Sequence, residues 1–197
     1  MLFQLLKIPA SWAIHLYCRQ IQIDRPEALL EKGPLLIAAN HPNSFLDAII
    51  LSTLFKKPIY SLARGDAFTN RFTSALLRSL NILPVYRISE GAENLEQNYQ
   101  TFEACRNIFQ QGGIVLIFCE GLCINEWKLR PLKKGTARLS LSSWENKIPL
   151  RVLPAGINYH SYQRFGKHVR LSFGHPIEAD HINRINGYGK SIHDFNA

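Results

Sequence analysis

The chain is poor in the features that mark several common protein classes. No internal repeat and no low-complexity segment is visible, which leaves out solenoids and disordered linkers. The four cysteines, Cys18, Cys105, Cys119 and Cys123, show no repeated close pairing, so no disulfide framework is expected and a reducing, cytoplasmic setting is the simplest reading. Cys119 and Cys123 resemble half of a metal site, but no companion Cys or His cluster follows, and no metal is expected. A secretory signal would show a basic start and a small-residue cleavage site, and neither is present. No Gly-x-Ser-x-Gly elbow occurs, which counts against a thioesterase or lipase with a serine nucleophile. Acids are scarce: 15 Asp and Glu against 23 Lys and Arg leave a formal net charge of +8. That surplus favours negative partners such as phosphates and anionic lipid headgroups; for nucleic acid the charge is the sole argument, because no recognition motif accompanies it.

At 197 residues and 46% hydrophobic content, the chain suits one domain with a sizeable core. Alternating or uniformly apolar runs predict strands over 20–24, 34–39, 58–63, 82–86, 114–118, 150–157 and 169–173. Helices are expected over 48–55, around Phe68, Phe72, Leu76 and Leu80, over 91–111 with Leu95, Tyr99, Phe102 and Ile108 inward, and over 135–144. Pro26 to Glu31 reads as a helical turn. Strands and helices alternate, so the class is α/β with a largely parallel sheet of about seven strands. The 16 residues from Cys119 to Lys134 show no period, and irregular segments of that length inside a domain are usually functional or mobile.

The first 18 residues are apolar and aromatic but interrupted by Lys7, Pro9 and His15. A spanning helix needs roughly 20 mostly apolar residues without such breaks. An interfacial helix suits the stretch better, with Trp12 and Tyr17 at headgroup depth and Lys7 and Arg19 beside anionic phosphates. A helix packed on the domain's own core and a spanning helix are the alternatives. The expected organisation is an interface helix over 1–18, one domain over 19–180 and a tail over 181–197 that reads as truncated.

Chemistry concentrates at Asn40-His41-Pro42-Asn43-Ser44-Phe45-Leu46-Asp47, between a buried strand and a buried helix. In α/β proteins the carboxyl end of a strand is a common place for a site. A neutral imidazole held by a carboxylate can take a proton from a hydroxyl. The bland alternative is a helix start, with Asn43 or Ser44 as the cap and Asp47 complementing the helix dipole. Six positions along a continuous helix would leave His41 and Asp47 about 120° apart, so His41 must stand outside the helix on a Pro42-Asn43 turn. Pro42 favours this, because a residue preceding proline is pushed out of helical geometry.

Asn-His followed by Asp resembles the signature of the glycerolipid acyltransferase family, which includes lysophosphatidic acid acyltransferases. The usual signature has four residues between His and Asp, whereas this chain has five. Leu83-Pro84-Val85-Tyr86-Arg87 is similar to the family's second block, in which an arginine closes a strand and binds the acceptor's phosphate; Arg64 stands in a similar place after the preceding strand. Phe118-Cys119-Glu120-Gly121 resembles the third block, normally Phe-Pro-Glu-Gly followed by Thr or Ser and Arg. Here Cys119 replaces the proline, and Leu122 and Cys123 stand where the hydroxyl and arginine are expected. Lys128, Arg130, Lys133 and Lys134 follow closely and can restore the lost charge, with Lys134-Gly135-Thr136 at a helix start as a phosphate or carrier cradle. Val152 to Ile157 resembles the fourth block, expected to line an acyl pocket or support the His41 loop.

The resemblance covers about residues 20–178 and implies acyl transfer from acyl-CoA or acyl-carrier protein to the hydroxyl of a lysophospholipid or glycerol phosphate. His41 and Asp47 would be the catalytic pair, with Asn40, Arg64, Arg87, Glu120, Gly121 and Lys134 as substrate-binding candidates. It implies no metal or prosthetic group, and a location on the cytoplasmic face of a membrane, peripheral or monotopic, with the phospholipid surface as a partner. A hydrolase and a catalytically silent lipid- or phosphate-binding module are the competing classes.

Overall fold

A computed structural model describes residues 2–86 and 94–181, with the side chains of 94–97 left out. Seven strands form one sheet: β1 (Cys18–Asp24), β2 (Leu35–Ala39), β3 (Ile59–Arg64), β4 (Ile82–Val85), β5 (Ile114–Phe118), β6 (Arg151–Tyr159) and β7 (Lys167–Phe173). Their spatial order is β1-β7-β6-β2-β5-β3-β4. Every neighbouring pair is parallel except β6 and β7, which run antiparallel. The expected class, a largely parallel α/β sheet of about seven strands, is therefore the observed one.

Why β2 and β5 sit in the middle is explained by their composition. Leu35, Leu36, Ile37, Ile114, Val115 and Leu116 are all fully buried, and strands covered on both faces need such uninterrupted apolar runs. Alternation divides their side chains between two cores. Leu35, Ile37, Ile114 and Leu116 pack with Ile14 of α1 (Leu2–Tyr17) and with Ile50 and Leu51 of α2 (Ser44–Leu54). Leu36, Val115 and Ile117 pack on the other face with Cys105 and Phe109 of α4 (Asn94–Gln110) and Leu139 of α5 (Gly135–Glu145). α3 (Arg71–Ser79) lies beside β4 at one edge.

One helix face differs from expectation, and another is covered only in part. Of the four-spaced residues around α3, Phe72 is 79% exposed and Leu76 is exposed, while Phe68 and Leu80 are half-buried. Spacing of four advances about 40° per step around a helix of 3.6 residues per turn, so the stripe drifts off any single face. On α4, Tyr99 is 74% exposed; the inward face is Thr101, Cys105 and Phe109, with Phe102 and Ile108 partly buried. Leu95 and Arg87 lie outside the described side chains, as does the tail beyond His181.

The first helix, α1, does two things at once. Ile14 and Tyr17 join the core, and Lys7 Nζ donates to the carbonyl of Phe55 at the end of α2, where cations are favoured. Leu5, Ile8, Trp12 and Leu16 form an exposed stripe along the outer side. Among the described residues no helix is long and apolar enough to cross a membrane.

Candidate active site

The sheet register brings three strand ends together: Ala39 of β2 is level with Phe118 of β5 and with Ala155 of β6. The turn leaving Ala39 is locked to both neighbouring strands. Cys119 N–H donates to the Ala39 carbonyl at 2.9 Å. The Asn40 carboxamide donates to the Ile157 carbonyl at 3.0 Å and accepts from Ile157 N–H at 2.7 Å, which clasps the loop to β6. His41 N–H then donates to Glu120 Oε2 at 3.1 Å.

His41 stands outside α2, which begins at Ser44. Its ring stacks on Phe118, centroids 3.6 Å apart and planes 14° from parallel, leaving about one fifth of the side chain exposed. Nδ1 lies 3.0 Å from Asp47 Oδ2. A carboxylate there selects the tautomer with the proton on Nδ1, which leaves Nε2 as a proton acceptor. Asp47 has no exposed surface. Its Oδ2 also accepts from Asn43 N–H at 2.8 Å, and its Oδ1 accepts from the Tyr159 hydroxyl at 2.6 Å. The helix start thus inverts the bland reading: Asn43 occupies the cap position but makes no side-chain cap bond, and Asp47 reaches back to satisfy its N–H.

The segment after β5 closes the site from the other side. Glu120 is buried and its Oε1 accepts from Arg130 N–H at 3.0 Å, so one carboxylate joins the main chains of His41 and Arg130. Gly121 adopts φ +64°, and a Cβ there would also stand 3.1 Å from Lys133 Cγ, so both conformation and space ask for glycine. Lys133 N–H returns to the Cys119 carbonyl at 2.7 Å. Cys123 Sγ accepts from Ser44 N–H at 2.8 Å, and burial pushes its thiol up. Ser44 itself has φ +44°, an uncommon conformation for a side-chain-bearing residue and a small local strain at the first position of α2.

Beside His41 opens a cavity of about 690 Å³ with a mostly apolar lining. Ser44, Gly121 and Cys123 share the wall near the histidine; Phe45, Ala48 and Ile49 of α2 and Phe3, Leu6 and Lys7 of α1 extend it. Arg64 is exposed at the same wall and pairs with Asp66. Lys134 is exposed at the N-cap of α5 and caps it with no side-chain bond. Of the other sequence candidates, Asn40, Glu120 and Gly121 converge on His41, and Arg87 lies outside the described residues. Tyr159, which holds Asp47, was not singled out from sequence, and Phe118 was placed in the third block without its stacking on the imidazole. Period-two alternation was the available signal for Tyr159, since it falls on the same face of β6 as Ala155 and Ile157.

A histidine–carboxylate pair at the carboxyl ends of a largely parallel sheet, beside a mostly apolar cavity, defines an α/β protein with a candidate site where an imidazole can accept a proton. A family model described as Acyltransferase matches residues 20–158, and the chain belongs to that family. It is 32% identical over 88 residues to the Uncharacterized acyltransferase C1718.04 of Schizosaccharomyces pombe, an alignment covering 44% of this chain and 13% of that protein. Its fold is similar to the crystal structure of the 1-acyl-sn-glycerophosphate (LPA) acyltransferase PlsC from Thermotoga maritima, with a TM-score of 0.63 and 14% identity. That match covers 90% of this chain and 69% of the other.

Proposed function

We propose that this protein is an O-acyltransferase that moves a fatty acyl group from acyl-CoA or acyl-carrier protein to the hydroxyl of a lysophospholipid or glycerol phosphate. The observation that carries the reading is the 3.0 Å contact between His41 Nδ1 and Asp47 Oδ2 on the wall of an apolar cavity of about 690 Å³. That volume lies within the roughly 300–1,000 Å³ typical of ligand pockets. Family membership supports acyl transfer, and the apolar lining suits a hydrocarbon chain.

The reaction is a direct transfer. His41 Nε2 removes the proton of the acceptor hydroxyl as that oxygen attacks the thioester carbonyl. Asp47 stabilises the imidazolium that forms. The tetrahedral intermediate collapses with C–S cleavage, and the imidazolium returns its proton to the leaving thiolate. The carbon exchanges one bond for another, no acyl-enzyme forms, and no metal or prosthetic group takes part. Arg64 at the cavity wall, with Arg87, Lys134 and the basic segment after Glu120, serves phosphate binding, for which guanidinium groups are geometrically suited.

The site works at the cytoplasmic face of a membrane. The exposed stripe Leu5, Ile8, Trp12 and Leu16 of α1 and the net charge of +8 support docking on an anionic lipid surface. The test is a panel assay: acyl-CoA and acyl-carrier protein against lysophosphatidic acid, glycerol 3-phosphate and other lysolipids. New ester in at least one combination is expected. Release of free fatty acid alone would reassign the protein as a hydrolase, and binding without turnover would leave a lipid-binding module.

A further inference from the structure

Asp47 is the wholly buried half of the pair, and a carboxylate removed from water is stable only where donors serve its oxygens. Both donors to Oδ2, His41 Nδ1 and Asn43 N–H, come from the short turn that precedes α2. A twist about the Cβ–Cγ bond would carry Oδ2 off both of them, yet both belong to the same turn, so what they fix is the carboxylate relative to that turn. Among the described residues the second oxygen has one donor, the Tyr159 hydroxyl at 2.6 Å, which arrives from β6, 112 residues along the chain.

Tyr159 is itself held rigidly. Its residue is buried at the end of β6, in register with Val169 of β7, and its carbonyl accepts from Trp127 Nε1–H at 2.7 Å. The Lys167 ammonium lies 5.9 Å from the ring centroid and the Tyr162 ring 5.8 Å away. Lys167 is fixed in turn by the carbonyls of Ser161 and Tyr162. The hydroxyl is therefore placed by the sheet, independently of the His41 turn.

His41 stands on the turn and Asp47 within α2, so their meeting depends on how the carboxylate is aimed, and β6 supplies a donor to its second oxygen. We propose that Tyr159 is a positioning residue of the His41–Asp47 pair: its hydroxyl fixes the plane of the Asp47 carboxylate so that Oδ2 meets His41 Nδ1. The proposal rests on the acyl-transfer reading and adds to it a residue of β6 that aims the pair. A fixed carboxylate stabilises the imidazolium without reorganising during the reaction. The groups around the ring are Asp47 from α2, Cys18 at the start of β1, Tyr162 from the β6–β7 hairpin and Lys167 from β7. Burial first, and then the Asp47 charge, push the Tyr159 hydroxyl far above the usual phenol range, so it remains a donor.

The test is Tyr159→Phe, which removes one oxygen atom, read in two ways. Steady-state kinetics should show kcat lowered about 10- to 100-fold, with KM for donor and acceptor within about twofold. Long-range ¹H–¹⁵N spectra of the imidazoles, with His41 assigned from a His41→Ala control, should show its Nδ1-protonated tautomer giving way to a mixture. Unchanged kcat overturns the proposal, as does a lowered kcat with an unchanged His41 spectrum, which would mark a merely structural residue. Should Tyr159→Phe fail to fold, 3-fluorotyrosine at position 159 keeps ring and hydroxyl but donates more strongly. The His41 ring shifts should then move, and their constancy would equally overturn the proposal. The spectra are recorded without substrate, so a wild-type protein that transfers no acyl group defeats the functional reading, while an unresponsive His41 defeats this one.

Discussion

His41→Ala is expected to lower kcat/KM by about 10²- to 10⁴-fold, the usual contribution of a positioned general base, and to lower the thermal melt while leaving the protein folded, because the buried Asp47 carboxylate loses a donor and Phe118 its stacked ring. Asp47→Asn should lose a comparable factor and also stability, since the site presents three donors to a residue that would then carry a donor of its own. Measuring both variants with the same donor and acceptor checks the pair; near-wild-type turnover by either would remove it. The thiols give a second check at this scale. Cys123 borders the cavity, while Cys18, Cys105 and Cys119 are buried and burial pushes the Cys105 thiol up to about 12. Maleimide should therefore label Cys123 first and slow acyl transfer, with peptide mapping as the readout. Much of this centre was legible as sequence because His41, Pro42 and Asp47 are neighbours, and their spacing together with the proline keeps the histidine off the helix. Tyr159 was not legible: it is one of seven tyrosines, and only folding reveals that its hydroxyl meets an acid 112 residues away.

The secondary elements show the same division. β2 and β5 could be read from composition because both faces are buried, and such strands tolerate nothing but apolar residues. The faces of α3 and α4 could not, since an aromatic at helical spacing is equally consistent with core and surface until the neighbours are known. Phe72 and Tyr99 are both exposed. α2 carries a prediction of its own. It supplies the start of the site through Ser44 and Asp47 and a cavity wall through Phe45, Ala48 and Ile49. Ala48→Phe should fill part of the apolar space and shift preference toward shorter acyl donors, measured as the ratio of kcat/KM for a long and a short acyl-CoA. An unaltered ratio would mean that the chain lies elsewhere. Gly121→Val combines a forbidden φ with a close contact to Lys133 and should destabilise the segment after β5 by about 1–2 kcal/mol, as seen in the thermal melt.

For the molecule as a whole, charge and apolar surface predict how it meets lipid. Sedimentation with vesicles containing anionic phospholipid should show binding that weakens as salt is raised from about 0.05 to 0.5 M, because screening shortens the reach of the +8 charge. Replacing Leu5, Ile8 and Trp12 together by serine should reduce binding at every salt concentration while sparing the melt, since these side chains are exposed. Substitution is a cleaner test than deleting the first 18 residues, which would also remove Ile14 and Cys18 from the core. The two sides of α1 then acquire a joint meaning. Phe3, Leu6 and Ala10 border the cavity while Leu5, Ile8 and Trp12 face away, so a single rod about 10 Å thick separates the space beside His41 from whatever lies against the outer stripe. With a bilayer there, a fatty tail would slip past the edge of that partition without ever being wetted, and the enzyme would draw substrate sideways from the leaflet rather than upward from solution.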